Sequence, residues 1–260
     1  MSEGAALVAL RGVDKVYSNG VVALKGLDLA VREGELLSLL GPSGCGKSTV
    51  LRLIAGLGEL SAGTIDWSSR RGDIGFVFQD PTLMPWATVF NNIYLPLRVR
   101  GSAKGEAAPR IERAMEQVGL AGFGGAYPRE LSGGMRMRVS IARALVAEPK
   151  ILLMDEPFAA LDEITRTRLD RELAELWTRE RLTILFVTHS IFEAVFLSTR
   201  VLVMSPRPGR IVGEVAIDEP HPRTEGFRAS SRFAAYCGQL SAMLALAAEP
   251  IVPLTESAAS

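Results

Sequence analysis

The sequence predicts an α/β protein, with a mostly parallel sheet covered by helices. Short strand-like runs alternate with helical patterns along the 260 residues, which is typical of that class. Three runs, at 36–40, 151–154 and 183–187, are apolar almost throughout, as strands buried on both faces are. With 48% hydrophobic and 22% charged residues, the chain can bury a sizeable core. We therefore expect these three strands to form the centre of the sheet.

The strands and helices are expected in the following order. Strands are predicted at 7–10, 21–31, 36–40, 64–67, 74–78, 151–154, 183–187, 201–204 and 211–215. Helices are predicted at 47–57, 89–98, 108–118, 133–147 and 163–180. The helical stretch between the fifth and sixth strands predicts an inserted subdomain at about residues 82–148 of a main domain that covers 1–217. Patterning is weak over 218–260, where we expect a C-terminal tail.

Composition excludes several classes of function. Lys and Arg total 29, as do Asp and Glu, and this balance argues against a protein that binds nucleic acid or a membrane surface through a positive field. No apolar run approaches the roughly 18 to 20 residues that cross a bilayer, and no basic region with a long apolar stretch opens the chain. The two cysteines, Cys45 and Cys237, form no CxxC pair. We expect a cytoplasmic protein without a nucleic-acid partner.

A glycine-rich loop follows the strand at 36–40 and opens the helix at 47. Its nine residues match the phosphate-loop pattern: Gly41, Pro42, Ser43, Gly44, Cys45, Gly46, Lys47, Ser48 and Thr49. The glycines let successive N–H groups converge on a phosphate at a helix N-terminus, Lys47 can reach the β- and γ-phosphates, and Ser48 can bind Mg²⁺. The alternative is an ordinary strand-to-helix turn with an incidental lysine.

Two carboxylates end the apolar strand at 151–154. Asp155 lies at the carboxyl end of that strand, where phosphate-loop enzymes hold Mg²⁺. Glu156 points to the other side of the backbone and can act as the general base for an attacking water. Without the phosphate loop, a solvated acidic turn before Pro157 would be the better interpretation. Together the two motifs predict a nucleoside triphosphatase.

A third motif narrows the class of triphosphatase. Leu-Ser-Gly-Gly-Met-Arg at 131–136 opens a predicted helix, and residues 131–145 resemble the signature motif of ATP-binding-cassette (ABC) ATPases. The other motifs of that family occur in order within residues 5–215, at Tyr17, the phosphate loop, Gln79, the acidic strand end, Leu161-Asp162 and His189. The resemblance implies a RecA-like phosphate-loop core with an antiparallel β subdomain and an inserted helical subdomain.

The resemblance implies roles for three isolated side chains. Tyr17 would stack on adenine, Gln79 would bind Mg²⁺ or the attacking water, and His189 would hydrogen-bond the γ-phosphate. Without the other motifs, each would be an ordinary residue: an aromatic in core packing, a surface glutamine and a histidine at a strand end.

The signature motif implies a dimer. Ser132 and the amides of Gly133 and Gly134 form an anion site at a helix N-terminus, and in this family that site completes the ATP pocket of the opposite subunit. One chain therefore supplies two half-sites of a head-to-tail dimer. The sequence departs from the family pattern at Met137, where glutamine is usual, and at Ser190, where aspartate is common. Neither change removes a phosphate or metal ligand, and serine is also a good N-cap.

The segments around these motifs resemble one group of transporters, the nitrate, sulfonate and taurine importers. They are Phe-Gln-Asp-Pro-Thr-Leu-Met-Pro-Trp at 78–86, Thr-Val-Phe-Asn-Asn-Ile at 88–93 and Met-Ser-Pro-Arg-Pro-Gly-Arg at 204–210. The resemblance implies a Mg²⁺-dependent ATPase at the cytoplasmic face of the inner membrane, bound to a polytopic permease that a solute-binding protein supplies.

The sequence leaves two alternatives to an importer subunit. One is a soluble ABC ATPase without a permease; ATPases of this family in DNA repair or translation usually carry coiled coils or two cassettes, and we see neither here. The other is a phosphate-loop kinase or GTPase, which leaves the signature motif unexplained.

Two further expectations concern single segments. Leu83, Met84 and Trp86 lie in a segment bounded by prolines, so we expect a surface loop that docks the permease, with packing inside the helical insertion as the alternative. Cys45 lies near a helix N-terminus, and we expect this position to lower the pKa of its thiol.

Overall fold

Two sheets contain the nine strands of the computed structural model, which describes residues 6–68 and 74–248. The strands are β1 (Ala6–Val16), β2 (Val22–Arg32), β3 (Leu36–Leu40), β4 (Ala62–Trp67), β5 (Ile74–Val77), β6 (Ile151–Asp155), β7 (Ile184–Thr188), β8 (Arg200–Met204) and β9 (Ile211–Ala216). Each of the nine predicted runs falls on one of these strands, so the strand prediction is confirmed.

The larger sheet is parallel except at one edge. Its strand order is β5-β6-β7-β3-β8-β9, and β9 pairs antiparallel with β8. The three apolar strands β6, β7 and β3 are neighbours in its interior, as their sequences predict. The smaller sheet, in the order β2-β1-β4, is antiparallel. The α/β class is confirmed.

Eight α-helices are described in the same residue ranges. They are α1 (Lys47–Ala55), α2 (Val89–Val99), α3 (Lys104–Gln117), α4 (Gly133–Leu145), α5 (Glu163–Glu180), α6 (Ile191–Leu197), α7 (Glu225–Arg228) and α8 (Ser231–Ala248). The five predicted helices correspond to α1–α5, with ends shifted by up to a few residues. The sequence indicated α6 only through the N-cap role of Ser190, and it did not predict α7 or α8. No helix among the described residues is long and apolar enough to cross a membrane.

Alternate residues of the central strands pack into two cores, one on each face of the larger sheet. Leu36 and Phe186 belong to the core beneath α2–α5, which also receives the C-terminal helices. Leu37 and Leu185 belong to the core shared by α1 and the smaller sheet. Because side chains alternate between faces along a strand, a strand with a helix-covered side and a sheet-covered side is buried at every position. A polar residue there needs a buried partner, as Ser38 of β3 has in the hydroxyl of Ser198.

The C-terminal segment packs against the first of these cores. Phe227, Phe233 and Leu240 are buried in it, and the buried Arg223 donates to the carbonyls of Val195 and Phe196 at 2.6 and 2.9 Å. The described part of the segment predicted as a tail is therefore integral to the fold. The domain limits at 217 and at 82–148 stay predictions.

The parallel strands bring their carboxyl ends to one edge of the larger sheet. Leu40 of β3 pairs with Thr188 of β7, and Asp155 of β6 pairs with Val187. The loops that leave β3, β6 and β7 therefore begin side by side. Ligands of open α/β sheets bind at this edge.

Candidate functional site

The phosphate loop turns sharply between β3 and α1 because two of its glycines adopt left-handed backbone conformations. The φ of Gly44 is 77° and that of Gly46, the N-cap of α1, is 111°. A Cβ at Gly46 would lie 2.7 Å from a methyl of Leu24 and 2.9 Å from the Ala23 carbonyl oxygen. The conformation and the crowding both require glycine at this position.

Lys47 is buried at the centre of the loop. Its Nζ donates to the carbonyls of Gly41 at 2.8 Å and Pro42 at 3.0 Å, and it lies 3.3 Å from Oε1 of Glu156. A buried ammonium group is stable only with such partners. The loop therefore holds a buried positive charge at the N-terminus of α1, a combination that suits a polyphosphate.

Ser48 and Asp155 form a pair of oxygen ligands beside this charge. The Ser48 hydroxyl donates to Oδ1 of Asp155 at 2.8 Å. Burial raises the pKa of Asp155, with the charge of Glu156 adding to the effect. A carboxylate and a hydroxyl are hard oxygen ligands of the kind that Mg²⁺ prefers, and a cation would compensate the burial of this carboxylate. The residues present fit Mg²⁺.

Glu156 and His189 meet at the next strand end. The Nδ1 atom of His189 lies 2.9 Å from Oε2 of Glu156, and the other oxygen of Glu156 faces Lys47. Glu156 has a φ of 45°, a conformation that is uncommon for a residue other than glycine. Asp155 and Glu156 therefore have different partners, as the sequence predicts, although the backbone at Glu156 is left-handed and not extended.

A buried cluster supports the turn that carries His189. Thr188 donates through its hydroxyl to the carboxylate of Glu193 and accepts from the Ser190 N–H at 2.9 Å. Ser190 caps α6 by accepting from the Glu193 N–H at 3.3 Å, which agrees with the role inferred from its sequence. Sequence reasoning missed Glu193, although Ser-x-x-Glu at 190–193 is the pattern of a capping box.

The structure places Tyr17 beside the phosphate-loop helix. Its hydroxyl lies 3.0 Å from Oγ1 of Thr49, and Nζ of Lys15 lies 5.3 Å from the centre of its ring. The ring is exposed. These contacts leave an aromatic surface near the loop that a nucleotide base can reach.

Gln79 and the signature residues are not brought into the Lys47–Asp155 cluster. Gln79 is exposed two residues beyond β5, and within residues 6–68 and 74–248 no hydrogen bond joins it to Asp155 or Glu156. Ser132 caps α4 by accepting from the Met135 N–H at 3.3 Å. A Cβ at Gly134 would lie 2.9 Å from Thr165 of α5, so the signature motif packs on that helix.

The expected low pKa of Cys45 is wrong. Its side chain is only 1% exposed, and burial raises the pKa of the thiol although Lys47 and backbone N–H groups act in the opposite direction. The loss of solvation outweighs the helix terminus because the thiol is enclosed by the core beneath the loop.

The segment from Leu83 to Trp86 contains no helix or strand. Trp86 is 77% exposed, whereas Leu83 packs partly into the core. Met84 is fixed through its backbone, because its N–H donates to the Asn92 side chain at 2.8 Å and its carbonyl accepts from it at 3.2 Å. The segment thus presents a tryptophan on a rigid support.

Residues 24–159 match the ABC transporter family. An uncharacterised ABC transporter ATP-binding protein of Methanocaldococcus jannaschii is 50% identical over 79% of this chain and 79% of that protein. A nitrate import ATP-binding protein of Synechocystis sp. is 43% identical over 86% of this chain and 88% of its own length. An aliphatic sulfonates import ATP-binding protein of Pseudomonas savastanoi pv. phaseolicola is 46% identical over 81% and 86%.

Solved structures agree with this assignment. The dimeric structure of a bacterial ABC transporter cassette aligns with a TM-score of 0.71 and 34% identity, over 82% of this chain and all of that one. The same values describe the match to a dimeric post-hydrolysis cassette bound to ADP and Pi.

Proposed function

The chain belongs to the ABC transporter family, and from this premise we propose that it is the ATP-hydrolysing subunit of a bacterial importer. The solute would be a small one of the nitrate, sulfonate and taurine type, in keeping with the relatives and with the segments at 78–93 and 204–210. The observation that carries the proposal is the single cluster of Lys47, Glu156 and His189 next to Ser48 and Asp155.

The phosphate loop, residues 41–49, would bind the phosphates of ATP. Lys47 already donates to two loop carbonyls. A small shift of its ammonium group would exchange these carbonyls for a phosphate oxygen, which is a stronger, charged acceptor. The exposed ring of Tyr17 would stack on adenine. Ser48, Asp155 and Gln79 would hold Mg²⁺, which when bound neutralises charge on the β- and γ-phosphates.

Glu156 and His189 would act in the chemical step. Glu156 accepts a proton from the attacking water as general base, and the 2.9 Å contact with His189 fixes the direction of its carboxylate. The exposed His189 ring is free to donate to a γ-phosphate oxygen through its other nitrogen. Lys47 stabilises charge in both the ground state and the transition state, so it serves binding first.

A second chain would complete each site. Ser132, Gly133 and Gly134 lie at the N-terminus of α4, outside the Lys47–Asp155 cluster, so they are available to an ATP bound in the opposite subunit. In a head-to-tail dimer, both half-sites of each chain, the phosphate loop and the signature motif, would be used. The dimeric cassettes among the structural neighbours support this arrangement.

The partner in the membrane would be a polytopic permease supplied by a solute-binding protein. The chain itself would lie peripherally at the cytoplasmic face of the inner membrane. Its docking surface would be the rigid loop of Leu83, Met84 and Trp86, because a large exposed aromatic near Gln79 can transmit closure of the dimer to the permease.

Purification under mild detergent conditions tests this function. We expect a polytopic membrane protein to accompany the chain and the complex to hydrolyse ATP. Glu156→Gln serves as the matched control, because it should retain the permease and lose hydrolysis. An active ATPase that brings no polytopic protein would instead favour a soluble ABC ATPase.

A further inference from the structure

The turn between β8 and β9, residues 205–210, has no part in the proposed mechanism. Its own hydrogen bonds fix its shape. The Ser205 N–H donates to the Arg210 carbonyl at 2.9 Å, the Ser205 hydroxyl donates to the Pro208 carbonyl at 3.1 Å, and the Arg210 N–H donates to the Ser205 oxygen at 3.1 Å. This turn lies against the outer side of the phosphate loop.

Arg207 joins the turn to the loop. Its Nε and Nη2 both donate to the carbonyl of Gly44, at 3.1 and 2.9 Å. In a trans peptide the carbonyl and the following N–H point in opposite directions. Holding the Gly44 oxygen outward therefore turns the Cys45 N–H inward, where it donates to the Pro42 carbonyl at 3.3 Å.

Gly209 supports the next peptide of the loop. A Cβ at Gly209 would lie 2.2 Å from the Cys45 carbonyl oxygen, so the close approach requires glycine. The Gly209 N–H donates to the Ala23 carbonyl at 2.9 Å, and its own carbonyl accepts from the Lys25 N–H at 3.2 Å. Because the turn is fastened to β2 in this way, it is a fixed support rather than a mobile arm.

We propose that Arg207 is a positioning residue for the phosphate loop, and that its bonds to the Gly44 carbonyl hold the peptide between Gly44 and Cys45 in the orientation in which the loop binds nucleotide. The proposal rests on the proposed function, in which this loop binds ATP. A loop that samples other peptide orientations binds nucleotide only in the fraction of time that it is competent. Since Arg207 contacts the loop and not the reacting atoms, it acts on the binding of ATP and ADP alike.

The test compares three variants: Arg207→Ala, Arg207→Lys and Arg210→Ala. Arg210 is the matched control, because it belongs to the same turn, carries the same charge and is also exposed. Within the described ranges its side chain has no hydrogen bond or ion pair, and its charge acts only at longer range, on Asp14. The measurements are Kd for ADP and for a fluorescent ATP analogue, KM and kcat for ATP, and the melting temperature without nucleotide.

We expect Arg207→Ala to raise both Kd values and KM about five- to tenfold, the size of one lost hydrogen bond. Its kcat at saturating ATP should change by less than about twofold, because the chemical groups are untouched. Arg207→Lys should recover most of the affinity through a single donor, and Arg210→Ala should stay within about twofold of the unchanged chain.

Two results would overturn the proposal. An equal rise in Kd for Arg207→Ala and Arg210→Ala would mean that only general positive charge matters. An unchanged Kd in Arg207→Ala would mean that the contact has no effect on binding, and a fall in melting temperature with that unchanged Kd would make Arg207 purely structural. Failure of the part of the proposed function on which this inference rests is a separate observation, since the unchanged chain would then bind no ATP.

Discussion

Lys47 and Glu156 form an ion pair at 3.3 Å, yet the geometry separates their roles. Lys47 donates to carbonyls inside the phosphate loop, whereas Glu156 also contacts His189 at the far side of the cluster. A lysine among loop carbonyls can neutralise phosphate charge whenever nucleotide is bound. In the proposed mechanism the carboxylate held by His189 would act on the attacking water, which matters only during hydrolysis.

The first prediction follows from that separation. Lys47→Ala should raise Kd for ATP at least about tenfold, because a charged hydrogen bond to phosphate is lost. Glu156→Gln should bind ATP normally and lose about 10²- to 10⁴-fold in kcat, the usual contribution of a general base. Equilibrium binding and single-turnover hydrolysis measure the two effects. An equal loss of ATP binding in both variants would refute the division of roles.

The second prediction concerns Cys45. Because its thiol is 1% exposed and burial raises its pKa, a thiol reagent at neutral pH should modify Cys45 slowly in the folded chain. Cys237 is the internal control, since burial also raises the pKa of its thiol but its side chain is more exposed. Mass spectrometry after brief labelling should find Cys237 modified first.

Two variants complete this test. Cys45→Ser should keep its ATPase activity, because a small residue suffices at this place in the loop, and it should withstand reagents that slowly inactivate the unchanged chain. Modification of Cys45 ahead of Cys237 would show that the loop opens more readily than its contacts imply.

At the residue scale, motif spacing predicted most of the cluster. Ser48 and Asp155 are far apart in the chain, but Asp155 ends a buried parallel strand and Ser48 lies in the phosphate loop after another. The carboxyl ends of such strands meet at one edge of the sheet, so the two side chains come together. Glu193 and Arg207 escaped prediction because their roles depend on tertiary contacts, with Thr188 and with the Gly44 carbonyl. No local pattern predicts which carbonyl an exposed arginine will reach.

At the scale of elements, the strands were easier to predict than the last helices. Three strands of the larger sheet, β3, β6 and β7, carry runs that are apolar almost throughout, and such runs are typical of strands buried on both faces. Helices α6 and α7 span only seven and four residues, which is too few for a helical period of apolar residues to be recognised in the sequence. Helix α8 carries no charge after Arg232, so its outer face does not differ clearly from its inner one.

A buried ion pair joins two of these elements. Asp170 of α5 accepts from Nη2 of Arg228 of α7 at 2.8 Å, and the guanidinium of Arg228 lies 3.7 Å from the ring centre of Phe196 of α6. Burial, with the charge of Glu193 adding to it, raises the pKa of Asp170 to about 7, although Arg228 and Arg166 act in the opposite direction.

The third prediction is a pH dependence of stability. The pKa of Asp170 is about 7 in the folded chain, whereas the ordinary pKa of an aspartate carboxyl, which applies in the unfolded chain, is 3.8. Between these values the folded state retains a proton that the unfolded state has lost, so the stability contributed by this group falls as pH rises and is gone above about 7. Asp170→Asn keeps an oxygen for Arg228 and has no carboxyl to titrate.

Melting temperatures between pH 5 and 8 measure this effect. As pH rises, the melting temperature of Asp170→Asn should increase by several degrees relative to that of the unchanged chain, since 1 kcal/mol corresponds to about 2–4 °C for a domain of this size. Asp218→Asn, at an exposed carboxylate paired with Arg232, is the control, and its melting temperature should depend on pH in the same way as that of the unchanged chain. Parallel curves for Asp170→Asn as well would show that Asp170 titrates normally.

For the whole molecule, the sequence predicted the architecture but not how the C-terminal part joins it. The order of strands and helices follows from patterning and from the resemblance to ABC ATPases. The attachment of residues 223–240 depends on buried contacts of Arg223, Phe227 and Phe233, which weak patterning conceals. Within the described residues Ser132 has no hydrogen bond to the phosphate loop, and that a second chain brings the two together is part of the proposed function.

The last prediction tests how the molecule meets its permease. Trp86 is 77% exposed, while the backbone of Met84 is held by Asn92. Replacing both side chains, Trp86→Ala with Met84→Ser, should therefore leave the fold and the ATPase of the isolated chain nearly unchanged. The double variant should pull down much less permease and lose solute-stimulated hydrolysis, because truncating an interface tryptophan costs about 2 kcal/mol or more.

Leu57→Ser provides the matched control, since Leu57 is 62% exposed and lies after α1, outside the proposed docking loop. It removes a comparable apolar surface and should leave permease binding and stimulation intact. If the double variant unfolds or loses basal ATPase while still binding the permease, the two side chains support the helical insertion and the docking surface lies elsewhere. If both variants weaken permease binding equally, exposed apolar area in general drives association. Selective loss in the double variant alone would place the contact on the loop that follows Gln79, where closure of the ATP site can be transmitted to the membrane.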